Sequence, residues 1–148
     1  MENTTTFLLH VLEENWLHAR LSEEKRARLA NLALVITLVV QALLVLMGFS
    51  PRILPLTLLL IVLGFYAFVV SLKLYERAQF HTLRARKVRA HLNELCLNAQ
   101  VEELLSSAEQ EHSNRYPFWQ HTRLNTLWLG LHLLIVIIGV VETIFCLR

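Results

Sequence analysis

The sequence predicts an all-α membrane protein with three transmembrane helices and a cytosolic helical hairpin, assembled as a symmetric homo-oligomer. Three observations carry this. Hydrophobic residues make up 55% of the 148, and the mean hydropathy is +0.46, well above soluble-domain values. Three charge-free windows, Leu29 to Pro51, Ile53 to Leu72 and Leu124 to Val141, run for 23, 20 and 18 residues, close to the roughly 20 that a helix needs to cross about 30 Å of hydrocarbon. The cations are also one-sided: with the amino terminus cytoplasmic, only Arg52 and Arg148 of the 14 Lys and Arg fall outside. That bias orients the chain N-in and C-out.

Residues 1–28 form the first segment. Phe7, Leu8, Val11, Leu12, Trp16 and Ala19 recur near helical spacing, which makes an amphipathic helix that rests in the cytoplasmic interface or packs within its own oligomer. Ser22, followed by Glu23 and Glu24, has the composition of an N-cap with first-turn acids, so a second helix is expected to begin there and run to about Phe49.

Residues 29–73 read as a transmembrane hairpin. Gly48, Ser50, Pro51 and Pro55 leave an outer turn of a few residues, so the two spans must be antiparallel neighbours. The first span carries polar Thr37 and Gln41 one turn apart. On the second, Thr57, Gly64 and Ser71 recur every seven residues with Ala67 between, the small-residue pattern of close helix packing.

Residues 74–123 form the cytosolic hairpin. Nothing interrupts the chain after the second span, and Leu74, Ala78, His81, Ala85, Val88, Leu92 and Leu95 alternate by four and three, a coiled-coil seam in which His81 reads as a packed residue. Charge is partitioned along this hairpin: Lys73 to Leu92 holds six basic residues against Glu76, while Asn93 to His112 holds five acids and no Lys or Arg. Either the two arms neutralise each other about a turn near residues 97–100, or Arg84, Arg86, Lys87 and Arg89 bind an anionic ligand such as a nucleotide. Tyr116, Phe118, Trp119 and Trp128 fit an aromatic belt at re-entry, with Pro117 opening the last helix and its seam extending to Phe118 and His121.

Residues 124–148 are the third span, and its polar groups share one stripe. Asn125, His132 and Gly139 stand seven apart, and Trp128, Ile135 and Glu142 take the alternate seam positions. An ionisable residue inside a span is costly unless it faces protein or water, so the stripe is a functional-site hypothesis. Asn125, Trp128, His132, Ile135, Gly139 and Glu142, with Thr37 and Gln41, are therefore the candidate pore-lining set in a ring of subunits, Glu142 forming an outer carboxylate ring. The competing expectation is that the stripe packs against the first two spans. Cys96 and Cys146 lie on opposite sides of the membrane and cannot pair in one chain; Cys146 is a buried thiol or a link between copies.

Enzymatic chemistry is not expected. The sequence lacks HExxH, paired CxxC, a nucleophile elbow and a P-loop, and His132 and Glu142 stand about 15 Å apart along their helix. No metal or cofactor is implied.

The order of parts, from the helix carrying Trp16 through two tightly linked spans to an unbroken helix with Lys73-Leu-Tyr-Glu-Arg and Arg84-Ala-Arg, resembles the SLATT-type small membrane effectors of bacterial anti-phage defence over roughly Leu12 to Leu95. The third span departs from that family's two-span minimum. The resemblance implies a bacterial inner membrane, a nucleotidyltransferase partner and pore formation controlled by a nucleotide signal. The expected function is accordingly an oligomeric, tetramer-favoured channel that depolarises the membrane, gated by a nucleotide or oligonucleotide. The alternative is a non-conducting anchor or scaffold that recruits a cytosolic partner protein.

Overall fold

The computed structural model describes residues 2–96, 99–115 and 123–148. Among them the chain forms four α-helices: α1 (Glu2–Met47), α2 (Leu54–Cys96), α3 (Ala99–Arg115) and α4 (Leu124–Leu147), with one 3₁₀ turn at Pro51–Ile53. Parts of α1 and α2, and α4 throughout, are long and apolar enough to cross a membrane. The expectations for Tyr116, Pro117, Phe118, Trp119 and His121 lie outside the described residues.

α1 corrects one expectation. It passes through Ser22 without a break, as one helix of 46 residues. Ser22 is buried; it is a small residue in a packing seam and does not cap a helix. Asn15, Ala19, Ser22, Arg26, Ala30, Ala33, Thr37, Val40 and Leu44 are all buried, in steps of three and four. A helix that continuous has no unsatisfied N–H groups for a hydroxyl to cap.

The end of α1 is set by glycine. Gly48 takes a positive φ of 70° and its N–H reaches back to Leu44 O at 2.9 Å, a left-handed helix stop. Ser50 is extended, Pro51 opens the 3₁₀ turn, and Ile53 N–H closes it on Ser50 O at 3.0 Å. Buried Ile53 then starts the seam of α2, which continues through Thr57, Leu60, Gly64, Ala67, Ser71, Ala78, Ala85 and Leu92. α2 ends at Cys96 and α3 begins at Ala99, close to the turn expected over 97–100.

The chain divides into two compact units. Unit 1 comprises Met1–Leu21 and Arg77–Leu124; unit 2 comprises Ser22–Glu76 and Asn125–Arg148. In unit 2 the three apolar stretches pack with a seam period near 3.5 residues, the repeat of left-handed supercoiled helices. Its core joins Ala33, Val40, Leu44, Ile53, Leu60, Ala67, Ile135 and Cys146. α2 and α4 approach closely at two glycines. A methyl on Gly64 would stand 2.8 Å from Val136 Cγ2, and one on Gly139 would stand 2.9 Å from Ile61 Cγ1 and 3.0 Å from Thr57 O. These positions fix an antiparallel register in which Thr57 lies opposite Gly139 and Gly64 opposite His132 and Val136.

Candidate functional site

The polar stripe of α4 faces inward. His132, Ile135, Gly139 and Glu142 are buried and Asn125 and Trp128 half-buried, while Thr37 is buried and Gln41 half-buried on α1. All eight candidate pore-lining residues thus lie within unit 2 and none on its exposed surface. The outer faces of the spans are instead built from residues such as Leu38, Val45, Val62, Phe65, Leu133 and Ile137.

The seam has three polar stations. At one end stands Arg26, 1% exposed. Its Nη2 donates to Glu23 Oε2 at 2.6 Å and its Nη1 to Asn125 Oδ1 at 3.2 Å. Its guanidinium lies 5.6 Å from the centre of the Tyr75 ring and 5.8 Å from that of Trp128. A buried cation needs such a set, because the ion pair, the amide and the two ring faces together replace the water it has lost. The guanidinium ties α1, α2 and α4 together at that level.

His132 occupies the middle station. It is fully buried, and neither ring nitrogen has a hydrogen-bond partner. The backbone carbonyl of the same residue lies against Gly64, where only a glycine leaves room.

Glu142 and Gln41 form the third station. Gln41 Nε2 donates to Glu142 Oε1 at 2.5 Å, and Glu142 Oε2 is buried without a partner. Beside them Thr143 Oγ1 is 2.9 Å from Thr57 Oγ1 and 2.7 Å from Gly139 O. Thr37 turns its hydroxyl back to Ala33 O at 2.8 Å, satisfying itself within its own helix. Cys146 is a free, buried thiol.

Unit 1 holds the second candidate site. The four cations named from the sequence divide between two faces of α2. Arg86 and Arg89 line a cleft of about 720 Å³ with Trp16, Asn93, Ser106 and Glu109. Arg84 lies over the Phe80 ring, 5.4 Å from its centre, and exposed Lys87 falls on that same side by helical spacing. The ion pairs Glu24–Arg28, Lys73–Glu76 and His91–Glu94 each run along a single helix. The two charged arms share the cleft through Arg86, Arg89 and Glu109 without a direct pair among those residues.

Also in unit 1, His81 fills its seam position as a partnered residue. Asn15 Nδ2 donates to Val11 O at 2.8 Å, which turns Asn15 Oδ1 toward His81 Nδ1 at 3.1 Å. The acceptor on Asn15 makes Nδ1 the protonated nitrogen of the neutral ring. The His18 ring stacks on it at 4.9 Å. Burial holds the His81 pKa below its ordinary value, helped by His18, Arg77 and Arg84 and opposed by Glu14.

Sequence reasoning missed Arg26 and the Gln41–Glu142 pair. Arg26 was legible: it stands four residues after Ser22 and four before Ala30, in the seam, where a cation is out of place. Gln41 and Glu142 are 101 residues apart, and no local pattern connects them. The chain matches no family model, no curated protein and no solved structure.

Proposed function

We propose that this chain is the subunit of a homo-oligomeric, tetramer-favoured channel of the bacterial inner membrane, a defence effector that depolarises the cell when an anionic nucleotide or oligonucleotide binds its cytosolic part. The observation that carries the reading is His132, fully buried inside a span with both ring nitrogens unpartnered. A buried polar atom left unpaired costs on the order of 1–3 kcal/mol. A span that needed only to hold its place would be more stable with leucine there. Polar groups along a membrane seam, with a carboxylate at its far end, support a path for ions.

In this reading the folded chain is the closed state, its stripe masked by α1 and α2, and conduction in a ring requires α4 to turn that stripe toward the axis. Arg86 and Arg89 beside Trp16 are the cations best disposed to take the signal, since a guanidinium pair and an indole suit a phosphate and a base. The resemblance to SLATT-type effectors supports depolarisation as the outcome and a nucleotidyltransferase as the source of the signal. Planar-bilayer recording tests the assignment. Glu142→Gln should alter cation selectivity and His132→Ala the conductance, and currents indifferent to both changes would sink it.

A second reading, a non-conducting anchor or scaffold, is favoured by one observation. The stripe is covered within the chain and the exposed faces of the spans are apolar, as in a helix bundle built only to reside in lipid. A membrane-potential dye during overexpression separates the two, because an anchor leaves the potential intact.

A further inference from the structure

α3 buries almost nothing of itself. Every residue from Glu103 to His112 is exposed, the apolar Leu104 and Leu105 included. What separates it from its neighbours in unit 1 is the cleft of about 720 Å³, within the size range of small-ligand sites. Trp16 of α1, Arg86, Arg89 and Asn93 of α2, and Ser106 and Glu109 of α3 border it.

The polar groups of the cleft are sorted along its length. Arg86, Arg89 and Asn93 are spaced by three and four, so they share one face of α2. Residues well away from both Cys96 and Ala99 border the same cleft, so α3 runs back along α2. Counted from that junction, Arg89 is level with Ser106 and Arg86 with Glu109. Asn15 meets His81 at 3.1 Å, which sets neighbouring Trp16 toward the Arg86 end and away from Asn93. One end thus holds an indole and a carboxylate beside Arg86, and the other holds Arg89, an amide and a hydroxyl. Glu109 forms no ion pair with Arg86 or Arg89 across the gap.

A carboxylate is out of place in a cleft that takes an anion, unless it faces N–H donors on the same ligand. We infer that the cleft takes a guanine nucleotide and that Glu109 selects the base. The inference rests on the nucleotide-gated reading and names its ligand. Guanine carries N1–H and an N2 amino group side by side on its Watson–Crick edge, and the two oxygens of one carboxylate accept a hydrogen bond from each. Adenine and cytosine set a single amino group beside a ring-nitrogen acceptor, which a carboxylate repels. Uracil has one N–H between two carbonyls. The Trp16 ring stacks on the purine, and Arg86 and Arg89 donate to the phosphate together with the Asn93 amide. Ser106 already donates its hydroxyl to Glu103 O at 2.9 Å, so toward the ligand it is an acceptor, suited to a ribose hydroxyl. Such a ligand touches all three helices, and its binding draws exposed α3 in against α1 and α2.

The test is equilibrium dialysis of the full-length chain in lipid nanodiscs, at low salt, against labelled GMP, AMP, CMP and UMP and the 5′-phosphorylated dinucleotides pGpA and pApA. GMP should bind at least tenfold more tightly than the other three mononucleotides, and pGpA at least tenfold more tightly than pApA. Whichever of GMP and pGpA binds better identifies the source as a free nucleotide or the end of an oligonucleotide. Glu109→Gln, a change at an exposed position, should bring GMP down to the affinity of AMP and leave AMP where it was. Arg86→Ala with Arg89→Ala should weaken all six ligands. Hydrogen exchange of the amides from Glu103 to His112 should slow when GMP is added, and not in Glu109→Gln at the same concentration. Equal binding of all bases, tighter binding of another base, or a guanine preference that survives Glu109→Gln overturns the inference and leaves the nucleotide-gated channel standing. Binding of none of the six overturns both the inference and the assignment of the signal to this cleft.

Discussion

Units 1 and 2 use the same packing rule and fill it differently. In both, α1 buries residues in steps of three and four, while α2 buries Ile53, Thr57, Leu60, Gly64, Ala67 and Ser71 at that spacing in unit 2 and Ala78, Ala85 and Leu92 every seven residues in unit 1. Unit 1 places mainly small and apolar residues in the seam, Ala19, Ala78, Ala85 and Leu92, and carries its charges outside on Arg84, Arg86, Lys87, Glu103, Glu109 and Glu111. Unit 2 reverses this, with Leu, Val and Phe outside and Arg26, Thr37, Thr57, Ser71, His132 and Glu142 inside. The seam spacing fixes which residues meet but not which solvent surrounds them. Two histidines show the consequence. His81 in unit 1 has Asn15 as a partner, whereas His132 in unit 2 has none.

The largest effect should come from breaking the helix contact on which only unit 2 depends. Gly139→Leu puts a side chain where a single methyl already meets Ile61 and the Thr57 carbonyl. Overpacking against backbone costs about 3 kcal/mol or more, enough to part α2 from α4. In a Cys96→Ser background, buried Cys146 should then react with maleimide at least tenfold faster in detergent micelles. An unchanged labelling rate would mean that the glycine contact does not hold unit 2 together.

A pair of matched substitutions sharpens the comparison further. His132→Leu removes a buried group with no partner and keeps its bulk, so unit 2 should gain about 1–3 kcal/mol against unfolding. His81→Leu strips the partner from buried Asn15, and unit 1 should lose about 1 kcal/mol. Hydrogen exchange of amides within each unit reads both. Equal signs would show that the two histidines are held alike.

Gly48→Ala should act on the turn and on neither seam. Nothing lies near a Cβ there, so the effect comes from the positive φ alone. A cost of about 1 kcal/mol is expected, visible as a small fall in the thermal midpoint, while Gly48→Asn should recover part of it.

The three long apolar stretches, the turn between the first two and the seam of α2 were legible because each depends on local spacing: Thr57, Gly64 and Ser71 announce a packed face by their period alone. Ser22 misled because an N-cap and a small seam residue have the same composition. Only the steps of Asn15, Ala19, Ser22 and Arg26 distinguish them. Counting Arg26 among the inner cations hid its seam position, since such counts treat every cation as solvated. The grouping of Arg84, Arg86, Lys87 and Arg89 was too coarse for a similar reason. At about 100° per residue, Arg86 and Arg89 share one side and Arg84 and Lys87 another. Whether the α4 stripe faced an axis or its own chain was beyond local reading, because the answer lay in long-range partners such as Gln41 and Glu142.

The smallest effect concerns acidity, and it separates the units by solvent access. The groups facing His81 are His18 and Glu14 on α1 and Arg77 and Arg84 on α2. Because its folded pKa lies below the ordinary 6.5, the unfolded ring binds the proton first as pH falls. Stability rises with pH wherever the unfolded state holds more protons. The contribution of His81 is therefore whole above about pH 6.5 and declines as the pH drops through that value toward the folded pKa. Hydrogen exchange of Asn15, Ala19 and Ala78 amides should quicken between pH 7.5 and 5.5, after correction for the intrinsic rate. His81→Gln can keep a hydrogen bond to Asn15 but cannot titrate, so it should flatten the dependence. A pH response that survives His81→Gln would place the titrating group elsewhere in unit 1 and leave the His81–Asn15 contact a packing feature alone.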